Sequence, residues 1–388
     1  MINMLKLTST QYFWALLGLL LLALSPQSVA QQTLDTLKVT STSYQGSADF
    51  LVTLPNKYAE NTDKKYIVLI DFHPASQPYL AGLHHWMSHN GGWPWLETII
   101  VTAPDGHEGL GKLKTFANGE QGQAFLNFIE HDLLTAIDNK YRTNGFKILS
   151  GFTGNATLGL FTLIQRPKLF NAYIVASPIL SENYLSVMSD TPNLAPALAK
   201  LAQPRMLFLS RADSDFEQRQ ISDFDALVMT LKQKAPSNLL WQSKVFTGSY
   251  YMSQPALATI YAIEQIFNDV HTVIKPDSSI GKNGPEAIYA YFQQVSNKYG
   301  FEVSAADSLF ELAKSKTEPK DALVIYQFAV AKYPQNAHTH HGLATGFAAI
   351  GDMPKAIAEL QLAITMTNHP FYLHRWGKLL EQYQAKSP

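Results

Sequence analysis

From residue 31 to about residue 270 the chain alternates two kinds of apolar pattern. Continuous apolar runs, Tyr66–Asp71 (YIVLID) and Thr98–Ala103 (TIIVTA), have the character of strands buried on both faces. Between such runs lie segments with helical spacing. Ala124–Tyr141 puts Phe125, Ile129, Leu133, Ile137 and Tyr141 on one face. Leu34–Thr42 and Asp49–Leu54 read as an opening pair of strands, ended by Pro55. Lys147–Ser150, Ala172–Ala176, Arg205–Ser210 and Leu240–Phe246 supply further strands. One helix runs to Arg166 before Pro167, and Pro255–Val270 closes the series with another. Such alternation predicts an α/β fold with a mostly parallel central sheet covered on both faces.

After Val270 the pattern changes. Residues 271–284 (HTVIKPDSSIGKNG) are rich in Gly, Ser and Pro and read as a linker. Residues 285–388 show helix pattern only. Ala322, Tyr326 and Ala329 recur 34 positions later as Ala356, Leu360 and Ala363, with Leu343, Ala344 and Phe347 before the second set. A helix–turn–helix period of that length, with small residues at the contacts, resembles tetratricopeptide repeats. Two repeats are fewer than a free-standing solenoid needs, so the tail is expected to dock on the first domain or on a second copy.

The first 30 residues carry a different signal. Lys6 precedes a 12-residue apolar run, Phe13–Leu24, and Ser28-Val29-Ala30 makes a small-x-small cleavage site. The run is shorter than the roughly 20 residues that a membrane-spanning helix needs. The expectation is a signal peptide over 1–30, cut after Ala30, and a periplasmic or secreted protein without a stable membrane anchor. The 388-residue chain is 46% hydrophobic with a formal net charge of -1, so it offers no clustered cation for nucleic acid. It has no Cys, and therefore no disulfide, thiolate metal site or Cys nucleophile.

The candidate chemistry lies in Tyr141–Pro178, which reads as helix end, strand, sharp turn, helix and strand. The turn is Gly151-Phe152-Thr153-Gly154-Asn155, the frame of a G-x-S-x-G nucleophile elbow with Thr153 in the Ser slot and Asn155 in that of the second Gly. Around it stand Phe50–Tyr58 (FLVTLPNKY), Tyr66–Asp71, Tyr141-Arg142-Thr143 and Pro167–Pro178 (PKLFNAYIVASP). In order and spacing these resemble the landmarks of the putative-esterase (esterase D-like) family of α/β-hydrolases, over roughly residues 34–270. That family includes siderophore esterases, S-formylglutathione hydrolases and mycolyltransferases. The resemblance implies an α/β-hydrolase fold over residues 31–270 and carboxylic-ester hydrolysis as the ancestral activity, with no cofactor.

The resemblance also marks where this chain departs. In such enzymes a Ser attacks, a His takes its proton and a carboxylate orients the His. Here Thr153 fills the nucleophile position, its methyl restricting χ1 and crowding the approach. Asn155 is expected at positive φ, which Asn tolerates best among residues other than Gly. Tyr251, within Tyr251-Met252-Ser253, fills the position of the base, and a phenol with a pKa of about 10 takes up no proton at neutral pH. The acid position falls within Arg211–Glu217, at Asp213 or Asp215. The implied oxyanion hole combines the backbone N–H of Gly154 with one near Phe72 or His73. Trp86, Trp93 and Trp95 are candidate pocket walls, with core packing as the other reading.

Two further patterns carry little. Gly106–Leu113 (GHEGLGKL) nearly spells a phosphate loop, but Leu113 offers no hydroxyl for Mg²⁺. His84, His85 and His89, like His338, His340 and His341, lack a carboxylate signature for a metal. The leading reading is an exported, catalytically degenerate esterase that binds an ester-like small molecule, or a protein partner through its tail. One alternative is an active ester hydrolase using Thr153. Another is an interaction module whose role resides in residues 285–388.

Overall fold

Apolar runs that cannot face water on either side become the middle of a sheet, and the strands observed follow that rule. The structure, a computed structural model, describes residues 32–41, 46–89, 91–103, 122–367 and 369–386. The expected signal peptide and the Gly106–Leu113 loop lie outside the described residues. The strands are β1 (Thr33–Ser41), β2 (Gly46–Leu54), β3 (Tyr66–Asp71), β4 (Thr98–Thr102), β5 (Thr143–Phe152), β6 (Ala172–Ala176), β7 (Arg205–Ala212) and β8 (Leu239–Phe246). They form one sheet in the order β1-β2-β4-β3-β5-β6-β7-β8. β1 pairs antiparallel with β2, and β2 with β4, while every later pairing is parallel. β3 and β4, the two continuous apolar runs, lie side by side and are buried along their whole length.

Residues alternate between two cores. Val68, Ile70, Leu149, Val175 and Leu209 face a cluster completed by α2 (Gly122–Lys140, π-helical over Phe128–Leu133), α3 (Gly154–Gln165) and α4 (Gln218–Lys234). Ile67, Leu69, Ile148, Ile174 and Phe208 face the other side, where α1 (Ser76–Ser88) and α5 (Gln254–Ile266) pack. Fully burying one such Ile or Leu contributes about 2 kcal/mol, so each layer is held by many equivalent contacts.

The second core does not stop at the hydrolase-like part. Its cluster continues through Ile288, Phe292 and Val295 of α6 (Pro285–Tyr299), Leu309 and Leu312 of α7 (Ala306–Lys314), Ile325 and Tyr326 of α8 (Pro319–Lys332) and Leu343 of α9 (Ala337–Ala349). α10 (Met353–Thr365) and α11 (Pro370–Lys386) close the tail over a smaller cluster of Ala356, Leu360, Ala363 and Trp376. The 34-residue repeat marks this packing. Tyr326 lies so close to α9 that a Cβ on Gly342 or Gly346 would come within 2.8 Å of its ring. Residues 271–284, expected as a linker, are packed. Ile274 is buried with its N–H donating to Ser308 Oγ, and Ser278 caps a short helix, Ser279–Lys282. Their Gly, Ser and Pro serve tight turns rather than a solvated tether.

Candidate functional site

Parallel pairing brings the carboxyl ends of the central strands level. Asp71 lies opposite Ser150, and Phe152 opposite Ala176. Ligand sites of open α/β sheets form outside that edge. Thr153 is the residue between β5 and α3, with φ 57° and ψ -123°. A β-branched residue at positive φ is a real outlier, so the surrounding structure imposes this turn. The imposition is visible at Gly151, where any Cβ would collide with the carbonyl of Asn155. The amide of Thr153 is anchored to the Ala176 carbonyl at 3.0 Å. The elbow expected from the sequence is therefore present, with residue 153 at its apex.

Asn155 differs from expectation. It is a helical residue inside α3, and the positive φ falls on Thr153 alone within the elbow. The demand at position 155 is steric, set by the close pass of β5 at Gly151. Asn155 meets it with a buried side chain whose Oδ1 accepts no hydrogen bond.

The amides of Gly154, Asn155 and Ala156 open α3, so they have no partner within the helix and point at the space above the elbow. Gly154, the residue expected in an oxyanion hole, is the first of them. On the β3 side, the His73 N–H donates to Asp71 Oδ1 at 2.8 Å, which commits it inward. Of the two residues expected to supply the second donor, Phe72 is the one whose amide is not spent on Asp71. The His73 imidazole also has a local role, since its Nδ1 accepts from the Ala75 N–H at 3.2 Å. Asp71 is fully buried, and burial raises its pKa to about 6 against the opposing pull of the His73 amide and the Ser150, Ser76 and Tyr79 hydroxyls. Sequence reading missed it. The signal was available as the acid that ends a run of five apolar positions.

Tyr251 arrives at the elbow as predicted. It opens the turn before α5, its ring 4.8 Å from that of Phe152 and 6.0 Å from that of Phe216. Burial, helped by the charge of Glu217, raises its phenol above the ordinary value, away from any role as a base. The Thr153 hydroxyl makes no hydrogen bond to any described residue, so nothing holds it for deprotonation. Of the two acid candidates, Asp213 Oδ1 accepts from the Gly248 N–H at 2.9 Å and ties the β7 loop to the β8 loop. Asp215 begins the single turn Asp215–Glu217. The carboxylate facing inward is Glu217. It is buried, accepts from the Ala212 N–H at 2.6 Å, and has its pKa raised by burial against the Ser177 hydroxyl and the Ala212 amide.

The three tryptophans part company. Trp95 is completely buried between α1 and β4, its Nε1 donating to Thr98 Oγ1 at 3.1 Å and its ring edge-on to His84. Trp86 is exposed on α1 beside His89, and Trp93 is exposed beside His271. None of their ring contacts is with Phe152, Phe216 or Tyr251. The aromatic lining of the elbow comes from those three residues, with Tyr250 and Met252 exposed next to them.

Residues 41–257 match the family model Esterase, described as putative esterase. No curated protein matches the chain. Among solved structures, an IroE-like serine hydrolase from Shewanella oneidensis is 18% identical, with a TM-score of 0.58, covering 77% of this chain and 98% of its own. An uncharacterised protein from Capnocytophaga ochracea is 15% identical with a TM-score of 0.62. It covers 91% of this chain and 100% of its own, a span that must take in much of the helical tail. The siderophore hydrolase EstA from Aspergillus nidulans is 17% identical, with a TM-score of 0.51, over 62% of this chain and 96% of its own. At these identities the structures speak for the fold, and the family model, spanning more than half of the chain, speaks for descent. With its elbow after β5 and its mostly parallel eight-stranded sheet, the chain belongs to the putative-esterase family.

Proposed function

We propose that this protein is a catalytically degenerate esterase, exported after removal of residues 1–30, that binds an ester-like small molecule at the inherited site. One observation carries the reading: Thr153 holds the nucleophile's place with no hydrogen-bonded base among the described residues, while Tyr251 fills the position of the base. Loss of the base alone removes about 10⁶ of rate from a Ser triad. What remains beside Thr153 are the helix N-terminal amides and the rings of Phe152, Tyr251 and Phe216. That combination suits a carbonyl or carboxylate next to an apolar or aryl group.

A second reading, slow hydrolysis through Thr153, draws on the strained backbone at residue 153, the geometry in which a nucleophile is presented. The two separate cleanly. The wild-type protein should resist a fluorophosphonate probe and leave p-nitrophenyl acetate at background. The Thr153→Ser/Tyr251→His double variant should gain esterase activity well above either single change, because triad members act as a unit. Strong wild-type labelling that disappears in Thr153→Ala would establish the threonine as a working nucleophile.

A further inference from the structure

A second concavity, of about 410 Å³, is built jointly by the hydrolase-like part and the tail. Its position follows from topology. α1 and α5 both start near the carboxyl ends of the strands and run back, so the loops at their far ends, carrying Trp93 and His271, lie at the opposite edge of the sheet from the elbow. The tail closes the other side with Ser304, Asp307, Asn336 and Tyr372. The volume falls within the range of small-molecule sites.

The chemistry of the lining is specific. Trp93 is 57% exposed, its ring perpendicular to that of His271 at 6.5 Å, so much of the indole is open to the crevice. The His271 imidazole is half-buried at the wall, with its Nε2 closed off from the crevice. Burial keeps that imidazole below its ordinary pKa and hence neutral near pH 7. Asn336 uses its Oδ1 on the His338 N–H, so its two amide hydrogens remain to be donated. Asp307 adds two acceptors, and among the described residues neither Lys nor Arg lines the space. Without a cation, phosphate, sulfate and carboxylate ligands have no counter-charge. An apolar platform bordered by both donors and acceptors matches a ring with one C–H face and hydroxyls at its rim, because each hydroxyl donates and accepts.

We propose that this crevice binds a neutral saccharide, with one sugar ring on Trp93 and its hydroxyls bonded to Asp307 and Asn336. The site is independent of whether Thr153 turns over substrate, and it gives the tail a function of its own: to supply half of the binding groups. The family-level sheet alone contributes Trp93 and His271 but not the acceptor and amide that face them.

The test uses the full mature chain with maltose, cellobiose, lactose and N,N′-diacetylchitobiose, followed by saturation-transfer difference NMR and calorimetry. Binding of at least one is expected in the millimolar range or tighter. Trp93→Ala should weaken it about tenfold or more, the scale on which removal of a stacking platform acts. Asp307→Asn, which keeps size and shape, should weaken it severalfold, and Phe216→Ala at the elbow should leave it unchanged. Near-ultraviolet circular dichroism of each variant guards against misfolding. Absence of binding for all four sugars would overturn the proposal, as would binding that survives Trp93→Ala. Tetramethylammonium is the control for an aromatic cage: binding of this cation, lost in Trp93→Ala without any sugar binding, would also overturn it.

Discussion

The elbow after β5 and the turn before α5 meet at one site, yet they retain the family's chemistry to different degrees. At the elbow the essential feature is backbone: Gly151 gives room for the Asn155 carbonyl, the Thr153 amide is anchored on Ala176, and residue 153 is forced to positive φ whatever its side chain. At the turn the feature expected of the family is a side chain, and here Tyr251 stands with its ring against those of Phe152 and Phe216. A geometry enforced by many neighbours persists when its chemistry is exchanged. A proton acceptor held by one residue vanishes with a single substitution.

The harshest test of that contrast is Gly151→Ala. Its Cβ would strike backbone of α3 rather than a yielding side chain, so a loss of about 3 kcal/mol or more is expected. Urea unfolding measures it. A loss below about 1 kcal/mol would mean that the elbow yields, contrary to the enforced geometry described here.

Asp71 tests the floor of the site. Its folded pKa of about 6 lies above the ordinary carboxyl value of 3.8, so the folded state binds the proton more tightly between those values. Stability from this group is therefore full below about pH 4, falls as pH rises toward 6, and is level above that. At about 1.4 kcal/mol per pKa unit, the loss is on the order of 3 kcal/mol. Asp71→Asn should then exceed the wild type in stability at pH 7.5 and equal it near pH 4. Parallel pH profiles for the two proteins would show that the surrounding hydroxyls keep the carboxylate ionised at no cost.

The smallest effect is expected at Thr153 itself. Thr153→Gly relieves a β-branched residue at φ 57° and should gain about 1 kcal/mol, after allowing for the freedom glycine adds to the unfolded chain. A loss of stability would instead mean that the threonine methyl packs well enough to offset its backbone, and that position 153 has adapted to its new residue.

Strands were the most legible elements. β3 and β6 span Tyr66–Asp71 and Ala172–Ala176 as read, because a continuous apolar run bounded by polar or turn residues leaves little choice. The elbow was legible from its small residues, and the helical character of the tail from its helix-only pattern. Which tryptophan is buried was not legible, since Trp93 and Trp95 share one short loop and only the third dimension sends one into the core and the other to the surface. Glu217 escaped notice because nearby Asp213 and Asp215 were equally plausible acids, and the turn Asp215–Glu217 decides which side chain points inward. The same holds for residues 271–284, whose composition suits turns packed on a core as well as turns in water.

The core that crosses from sheet to tail has a consequence for how the chain is made. Ile67 of β3 and Ile288 of α6 belong to one apolar cluster, although the second is synthesised about 220 residues after the first. α1 and α5 pack on the Ile67 face of the sheet, but the apolar surface around Phe146 and Phe267 that Tyr299 of α6 covers stays exposed until the tail has left the ribosome. Contacts of such long range make folding slow, and the exposed surface must be shielded meanwhile. Removing the tail would thus open the apolar surface around Phe146 and Phe267 to the solvent.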